Sequence, residues 1–143
     1  MTRPEFLLPA GLLYLLIIVL GLSSEIIVRA PLMSMDAVEA ASTIAEGSLP
    51  FRLSILADVV MISADIALAF LLYRMLAPFG EAIAALAGLF RLAQAAVIAG
   101  NLLNQYEALI WVEADLADLA LQTLVLHGIG YDLGLIFFGI NSL

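Results

Sequence analysis

Hydrophobic positions along this chain fall into four long runs separated by short polar segments. The runs cover about residues 6–28, 51–76, 82–104 and 119–143. About 20 mostly apolar helical residues cross the hydrocarbon core of a bilayer, so each run is long enough for one transmembrane helix. The pattern predicts an all-α fold, a polytopic transmembrane helical bundle that forms a single domain over residues 1–143.

The composition supports a membrane protein. The mean hydropathy is +1.13, 64% of the residues are hydrophobic and only 13% are charged, far from the usual composition of soluble domains. A soluble all-helical core is the alternative. The first run could also be a signal peptide, but it exceeds the 7–15 apolar residues of such a segment. We therefore interpret it as an uncleaved span.

A short amphipathic helix is predicted between the first two runs, over about residues 35–47. Four polar residues recur there at helical spacing: Asp36, Glu39, Thr43 and Glu46. Ser34 is a candidate N-cap and Gly47 a candidate C-terminal stop. This helix is expected to rest at the membrane surface with its acidic face in water.

Several function classes are disfavoured by residue usage. Cysteine is absent and His127 is the only histidine, so neither a metal nor another cofactor is expected. The net charge is −8 and the five arginines are scattered, which excludes a nucleic-acid surface. The serines in the apolar runs lie in no nucleophile motif, so we expect no enzymatic activity.

Two aspartates, Asp58 and Asp65, interrupt the second run. They are seven residues apart, which places both on one face of a helix. Each costs about 2.5–3.5 kcal/mol at the centre of a membrane helix. The acidic face is therefore expected to point toward protein or water and away from lipid.

Counting residues from the turn at Pro78 identifies a partner for Asp65. Asp65 precedes Pro78 by thirteen residues and Arg91 follows it by thirteen, so the two lie at one depth in an antiparallel hairpin. The third run also carries a stripe of mostly polar positions: Arg91, Gln94, Ile98, Asn101 and Gln105. The same counting from the next loop, near Glu113, brings Asp132 to the depth of Arg91.

These depths predict two polar layers about 10 Å apart along the helices. The midplane layer, a buried polar network, consists of Asp65, Arg91, Gln94 and Asp132. The outer layer consists of Glu25, Asp58, Asn101 and His127. The midplane layer is either an ion network in which the two aspartates clamp Arg91 or a proton-responsive path. For the outer layer we expect a solvated vestibule.

The fourth run contains a small-xxx-small pair, Gly130 and Gly134. Such a pair lets another helix approach closely. Packing within the bundle is the favoured interpretation, and dimerisation is the alternative.

Four segments together resemble the DUF4386 family of bacterial membrane proteins of unknown function. They are "GLLYLLIIVLGLSSEIIVR", "FRLSILADVVMISADIALAFLLYRML", "LFRLAQAAVIAGNLLN" and "HGIGYDLGLIFFGI", in collinear order over nearly the whole chain. The resemblance implies a polytopic membrane topology. It identifies no catalytic residue and no cofactor. Members of that family continue with further hydrophobic sequence, and "FFGINSL" has no basic flank, so we expect the natural chain to extend beyond residue 143.

The sequence thus predicts a bacterial inner-membrane protein without enzymatic activity, which binds a small polar or lipidic ligand or supports a membrane complex. A small transporter or proton-coupled carrier that uses the intramembrane aspartates is the alternative. The expected partners are the lipid bilayer and either another membrane protein or further copies of the chain. The two sides of the membrane carry equal numbers of arginines near the helix ends. The positive charge of the N-terminal amino group therefore decides, and it favours a cytoplasmic N-terminus.

Overall fold

The protein is built from helices, without strands, over residues 4–141, the part of the chain that the computed structural model describes. The α-helices are α1 (Pro4–Ser23), α2 (Ala30–Met33), α3 (Ala37–Glu46), α4 (Ser48–Leu76), α5 (Glu81–Glu113) and α6 (Ala117–Asn141). A π-helical turn, Ser24–Arg29, joins α1 to α2, and a 3-10 turn, Ala77–Phe79, follows α4. The predicted all-α class is confirmed.

Four stretches of the described chain are long and apolar enough to cross a membrane, one for each predicted run. They are Glu5–Met33, Ser48–Phe79, Glu81–Glu113 and Ala117–Ile140. Each helix extends beyond at least one end of the run that predicted it. The predicted end of the fourth run at residue 143 lies outside the described residues.

The first helix does not stop near residue 28, where the first run ends. It continues through the π-helical turn and α2 to Met33. Pro31 lies in α2 and has no N–H to donate, so the regular hydrogen-bond ladder is already interrupted close to the wide turn. The continuation keeps Arg29 inside the bundle, where its side chain is only 2% exposed.

Helix α3 lies where the amphipathic pattern predicts it and packs against α6, α5 and α4. Its apolar side is Ala40 and Ile44, both 1% exposed. Its N-cap is Asp36, whose side chain accepts a hydrogen bond from the Glu39 N–H at 2.9 Å. The prediction of Ser34 as the cap was wrong, because the Ser34 hydroxyl donates to the Pro31 carbonyl instead.

Helices α4 and α5 form the predicted antiparallel hairpin around Pro78. Helix α5 runs to Glu113, so the polar stretch after residue 104 extends the helix and is not a loop. The turn into α6 is correspondingly tight. It includes Asp115 in the left-handed backbone region, with φ 57°, which aspartate tolerates better than most residues.

The long helices pack in series: α1 against α4, α4 against α5, and α5 against α6. Within the described residues, α1 and α6 do not pack extensively against each other. Because α1 and α6 both flank the central hairpin, a cleft remains between them. The outward side chains of all four long helices are mainly large and apolar, as expected for surfaces in contact with lipid.

The glycine pair of α6 packs within the bundle, as the favoured interpretation predicts. A Cβ atom on Gly130 would clash with the side-chain amide of Asn101 on α5. A Cβ atom on Gly134 would lie 2.6 Å from Ile98 Cγ1, also on α5. These contacts bring α6 close enough to α5 for its inward side chains to reach the polar stripe of α5.

Candidate functional site

A buried ion pair joins α4 and α5 at the middle of the hairpin. Arg91 Nη2 lies 2.6 Å from Asp65 Oδ1, and both side chains have 0% exposure. The Gln94 amide Nε2 donates to Asp65 Oδ2 at 3.3 Å. These three residues, which we call the midplane cluster, are three of the four predicted for the midplane layer.

Aromatic side chains from the outer helices hold the Arg91 guanidinium. Arg91 Nη1 donates to the Tyr14 hydroxyl of α1 at 3.2 Å, and Arg91 Cζ lies 4.8 Å from the centre of the Tyr14 ring. The ring centre of Phe138, on α6, lies 5.4 Å from the same carbon atom. Guanidinium groups bind well to aromatic faces. The midplane cluster therefore makes contacts with all four long helices.

Asp132 does not join this cluster, which corrects the predicted clamp of two aspartates on Arg91. Its side chain is exposed on the outside of α6 and makes no ion pair or hydrogen bond with another residue in 4–141. The reason is rotational: His127 is 1% exposed and faces inward, and Asp132 follows it by five residues. Five residues turn an α-helix by about 140° beyond a full turn, so Asp132 points away from the core.

A second cluster lies nearer to α3. Arg29 Nη1 binds Asp58 Oδ2 at 2.5 Å, and Arg29 Nε binds Glu25 Oε2 at 2.8 Å. Asp58, with 0% exposure, also accepts from Gln105 Nε2 at 2.8 Å. These residues, with Asn101 and His127, form what we call the α3-side cluster.

His127 completes the α3-side cluster through α5. His127 Nδ1 lies 3.2 Å from the Asn101 carbonyl oxygen, which can only accept, so we place the ring proton on Nδ1. His127 Nε2 then accepts from Gln105 Nε2 at 3.0 Å. The Asn101 amide Nδ2 donates to the His127 carbonyl at 2.7 Å. The cluster links the end of the first helix to α4, α5 and α6.

The structure brings together the four residues predicted for the outer layer, but not as a solvated vestibule. Asp58, Asn101 and His127 are buried, and only Glu25 is partly exposed, at 29%. Arg29 supplies the counter-charge that the prediction lacked. An open space adjoins the midplane cluster instead.

Sequence reasoning missed Arg29, Gln105 and Tyr131 as members of the site. Glu25 and Arg29 are four residues apart, a spacing at which opposite charges pair on a helix, so this signal was present. Gln105 lies on the polar stripe of α5. Tyr131 lies four residues after the inward-facing His127, and its ring centre is 5.5 Å from Arg29 Cζ.

The open space is a cavity of about 230 Å³ between α1 and α6, which we call the α1–α6 cleft. All four long helices contribute to its lining: Ile17, Ile18, Gly21, Leu22, Met61, Asp65, Gln94, Ile98, Tyr131, Leu135 and Phe138. Ile18, Leu22 and Leu135 are about half exposed and form its rim. Asp65 and Gln94 are buried and form its polar floor.

Two polar atoms at the cleft lack partners among residues 4–141. Gln94 Oε1 is buried and accepts no hydrogen bond. The Tyr131 hydroxyl forms no hydrogen bond with another described side chain or backbone group. Of these two atoms Gln94 Oε1 is the buried one, and a buried polar atom without a partner is uncommon in folded proteins and requires an explanation. Within the described residues, no group of three or more His, Asp or Glu side chains could hold a metal ion.

Four apolar helices of spanning length around two buried polar clusters define a polytopic α-helical membrane protein. The chain belongs to the family described as "Domain of unknown function (DUF4386)", whose model matches residues 9–143. This match confirms the resemblance found in the sequence. No curated protein matches the chain. No solved structure matches it either.

Proposed function

We propose that this protein binds an amphipathic molecule in the α1–α6 cleft and has no catalytic activity. The observation that carries the proposal is the gradient of polarity in the cleft, from an exposed apolar rim to a buried polar floor at Asp65 and Gln94. Binding sites for small molecules are commonly apolar clefts with a few placed polar groups.

The rim supports entry from the bilayer. Ile18, Leu22 and Leu135 belong to the lipid-facing surface of α1 and α6. An amphiphile can therefore move sideways between these helices without leaving the membrane. The cavity is smaller than the roughly 300–1,000 Å³ of clefts that enclose whole drug-sized ligands. A head group and the first part of a chain fit inside, and the rest of the chain stays in lipid.

The pairing of the buried carboxylates favours binding over proton-coupled transport. Asp65 is held by Arg91, and Asp58 is held by Arg29 and Gln105. Protonation of Asp65 would remove the carboxylate that pairs with the buried Arg91. Protonation of Asp58 would leave Arg29 with only the partly exposed Glu25 as its counter-charge. Both changes are unfavourable. A carrier needs an intramembrane acid that changes charge readily, and neither aspartate has such surroundings.

For the setting we propose the inner membrane of a bacterium with the N-terminus in the cytoplasm. The positive charge of the N-terminal amino group supports this orientation. The α3-side cluster and α3 would then lie toward the outer face. The midplane cluster would lie near the centre of the bilayer, since Asp65 is near the middle of α4.

Native mass spectrometry of the full chain, extracted from its membrane in mild detergent, tests the proposal. We expect the protein to retain a small amphiphile of defined mass. Gly21→Leu should abolish this retention, because even a Cβ atom there lies 3.0 Å from Met61 Sδ and 3.2 Å from the Tyr131 hydroxyl. Gly11→Leu in the same helix is the matched control, since no atom lies within 4 Å of its Cβ position.

A second pair of variants covers the case in which Gly21→Leu fails to fold. Ile18→Trp closes the exposed rim from outside the core, and Leu12→Trp places the same side chain on α1 away from the cleft. Equal retention by Ile18→Trp and Leu12→Trp would contradict the proposal. A stoichiometric protein partner in place of a small molecule would instead support a role in a membrane complex.

A further inference from the structure

We infer that the α1–α6 cleft selects an uncharged head group that donates a hydrogen bond, such as the hydroxyl of a long-chain alcohol. This inference rests on the proposed function and adds the chemical class of the ligand. Its basis is the buried, unpartnered acceptor Gln94 Oε1 in the polar floor.

The orientation of the Gln94 amide is determined by its neighbour. The Asp65 carboxylate can only accept hydrogen bonds, so the atom of Gln94 that contacts Asp65 Oδ2 must be the donor Nε2. Gln94 Oε1 is therefore the atom of this amide that has no hydrogen-bond partner. Gln94 is only 3% exposed, so bulk water does not satisfy this oxygen, and the approach open to a donor is the cleft that Gln94 lines. A ligand must bring a donor to satisfy it.

Charge restricts the head group further. Arg91 and Asp65 form a pair with no net charge, and Arg91 also contacts Tyr14 and Phe138. An anionic head group would meet the Asp65 carboxylate, and a cationic one would lose its hydration without gaining a free counter-ion. An uncharged head group avoids both costs.

A hydroxyl group has the hydrogen-bonding character that both atoms of the cleft call for. It donates one hydrogen bond, which Gln94 Oε1 accepts, and it accepts one, which the Tyr131 hydroxyl donates. An ether oxygen accepts from Tyr131 but has nothing to donate to Gln94. An alcohol and its methyl ether therefore differ in the one property that the inference concerns.

The test uses three photoreactive probes with one and the same alkyl chain: a primary alcohol, its methyl ether and the corresponding carboxylic acid. Each is added to the full chain in lipid nanodiscs, and labelling of cleft peptides is measured as a function of concentration. We expect the alcohol to bind about tenfold more tightly than the ether, the ratio that corresponds to about 1.4 kcal/mol. The carboxylate should bind more weakly than the alcohol.

Variants assign the two hydrogen bonds. Gln94→Met removes the hydrogen-bond acceptor. It should reduce the affinity for the alcohol to that for the ether, and it should leave the affinity for the ether unchanged. Tyr131→Phe removes the hydrogen-bond donor and should weaken the binding of the alcohol and the binding of the ether by similar factors. If Gln94→Met fails to fold, the comparison of the three probes on the unmodified protein decides the inference alone.

The outcomes separate the inference from the proposed function. If the alcohol and the ether label the cleft equally, the inference about the head group is overturned. If that labelling is also lost in Ile18→Trp, the cleft remains a binding site. Preferential labelling by the carboxylate would overturn the inference in the same way. Labelling of the cleft that does not saturate, or that persists in Ile18→Trp, would overturn both.

Discussion

Asp65 and Arg91 form an ion pair with 2.6 Å between Oδ1 and Nη2 and no exposure of either side chain. Asp65 belongs to the floor of the α1–α6 cleft, and Arg91 contacts an aromatic ring of the first helix and one of the last. The pair therefore serves two purposes in our account. It fixes the depth of α4 against α5, and it gives the cleft a polar floor without net charge.

Asp65→Asn should lower the free energy of unfolding by about 3–5 kcal/mol, because Arg91 then stays charged and buried without a carboxylate. Denaturation by SDS in mixed micelles measures this change. The control is Glu46→Gln, at the exposed end of α3 outside the membrane-spanning helices, which should change stability by less than about 0.5 kcal/mol. Replacing both partners, Asp65→Leu with Arg91→Met, should recover much of the loss. Equal small effects of the two single variants would refute the structural role of the pair.

Arg29→Met should destabilise the protein by a similar amount, about 3–5 kcal/mol, because Asp58 is fully buried and loses its counter-charge. Arg52→Met is the control, since Arg52 is 54% exposed and pairs with Glu113 only at 3.4 Å. Such an exposed pair contributes at most about 1 kcal/mol. Unfolding of both variants under identical conditions makes the comparison. A loss in Arg52→Met as large as that in Arg29→Met would contradict the assigned cluster.

Gly130→Ala should cost about 1–3 kcal/mol through overpacking, because the new methyl group meets the Asn101 amide of α5. Gly139→Ala, in the same helix, places its methyl group where no atom lies within 4 Å. Thermal unfolding in detergent distinguishes the two variants. If Gly130 serves dimerisation instead, its substitution should change the oligomeric state in native mass spectra and leave the unfolding temperature unchanged.

Asp36→Ala should destabilise α3 by about 1 kcal/mol, since it removes the cap on the Glu39 N–H. Faster hydrogen exchange of amides in α3 is the expected result. Ser34→Ala is the control, because the Ser34 hydroxyl binds the Pro31 carbonyl and caps no N–H of α3. If the amides of α3 exchange as slowly in Asp36→Ala as in the unsubstituted protein, packing on α5 and α6 alone stabilises this helix.

The number of long helices and the Asp65–Arg91 contact follow from the sequence for a physical reason. The turn at Pro78 is short, so counting residues from it places both side chains at one depth. The stripe of α5 that begins at Arg91 and ends at Gln105 is buried throughout. In a hairpin, depth and helical periodicity together determine which residues can meet.

Asp132 shows where that counting fails. Depth along a helix does not specify rotation about its axis, and only the burial of His127 and the close approach at Gly130 and Gly134 determine which side of α6 faces α5. Arg29 was missed for another reason. The expected end of the first helix near residue 28 left Arg29 outside the bundle, although its spacing of four residues from Glu25 is typical of an ion pair on a helix.

The cleft itself could not be derived from sequence, because it depends on two helices that do not pack extensively together. Ile18 of α1 and Leu135 of α6 look like ordinary lipid-facing residues along the chain. Only the serial packing of the four helices places them on one rim.

Site-specific photocrosslinking in living cells tests whether an amphiphile occupies the α1–α6 cleft. A photoreactive benzoylphenylalanine at position 135 replaces Leu135 on the rim of the cleft, and the same residue at position 136 replaces Ile136, which is exposed on α6 outside the cleft. After irradiation, mass spectrometry identifies the captured molecules. We expect one dominant amphiphile at position 135 and a mixture that resembles the bulk membrane lipids at position 136. The same mixture at both positions would contradict a binding cleft between α1 and α6.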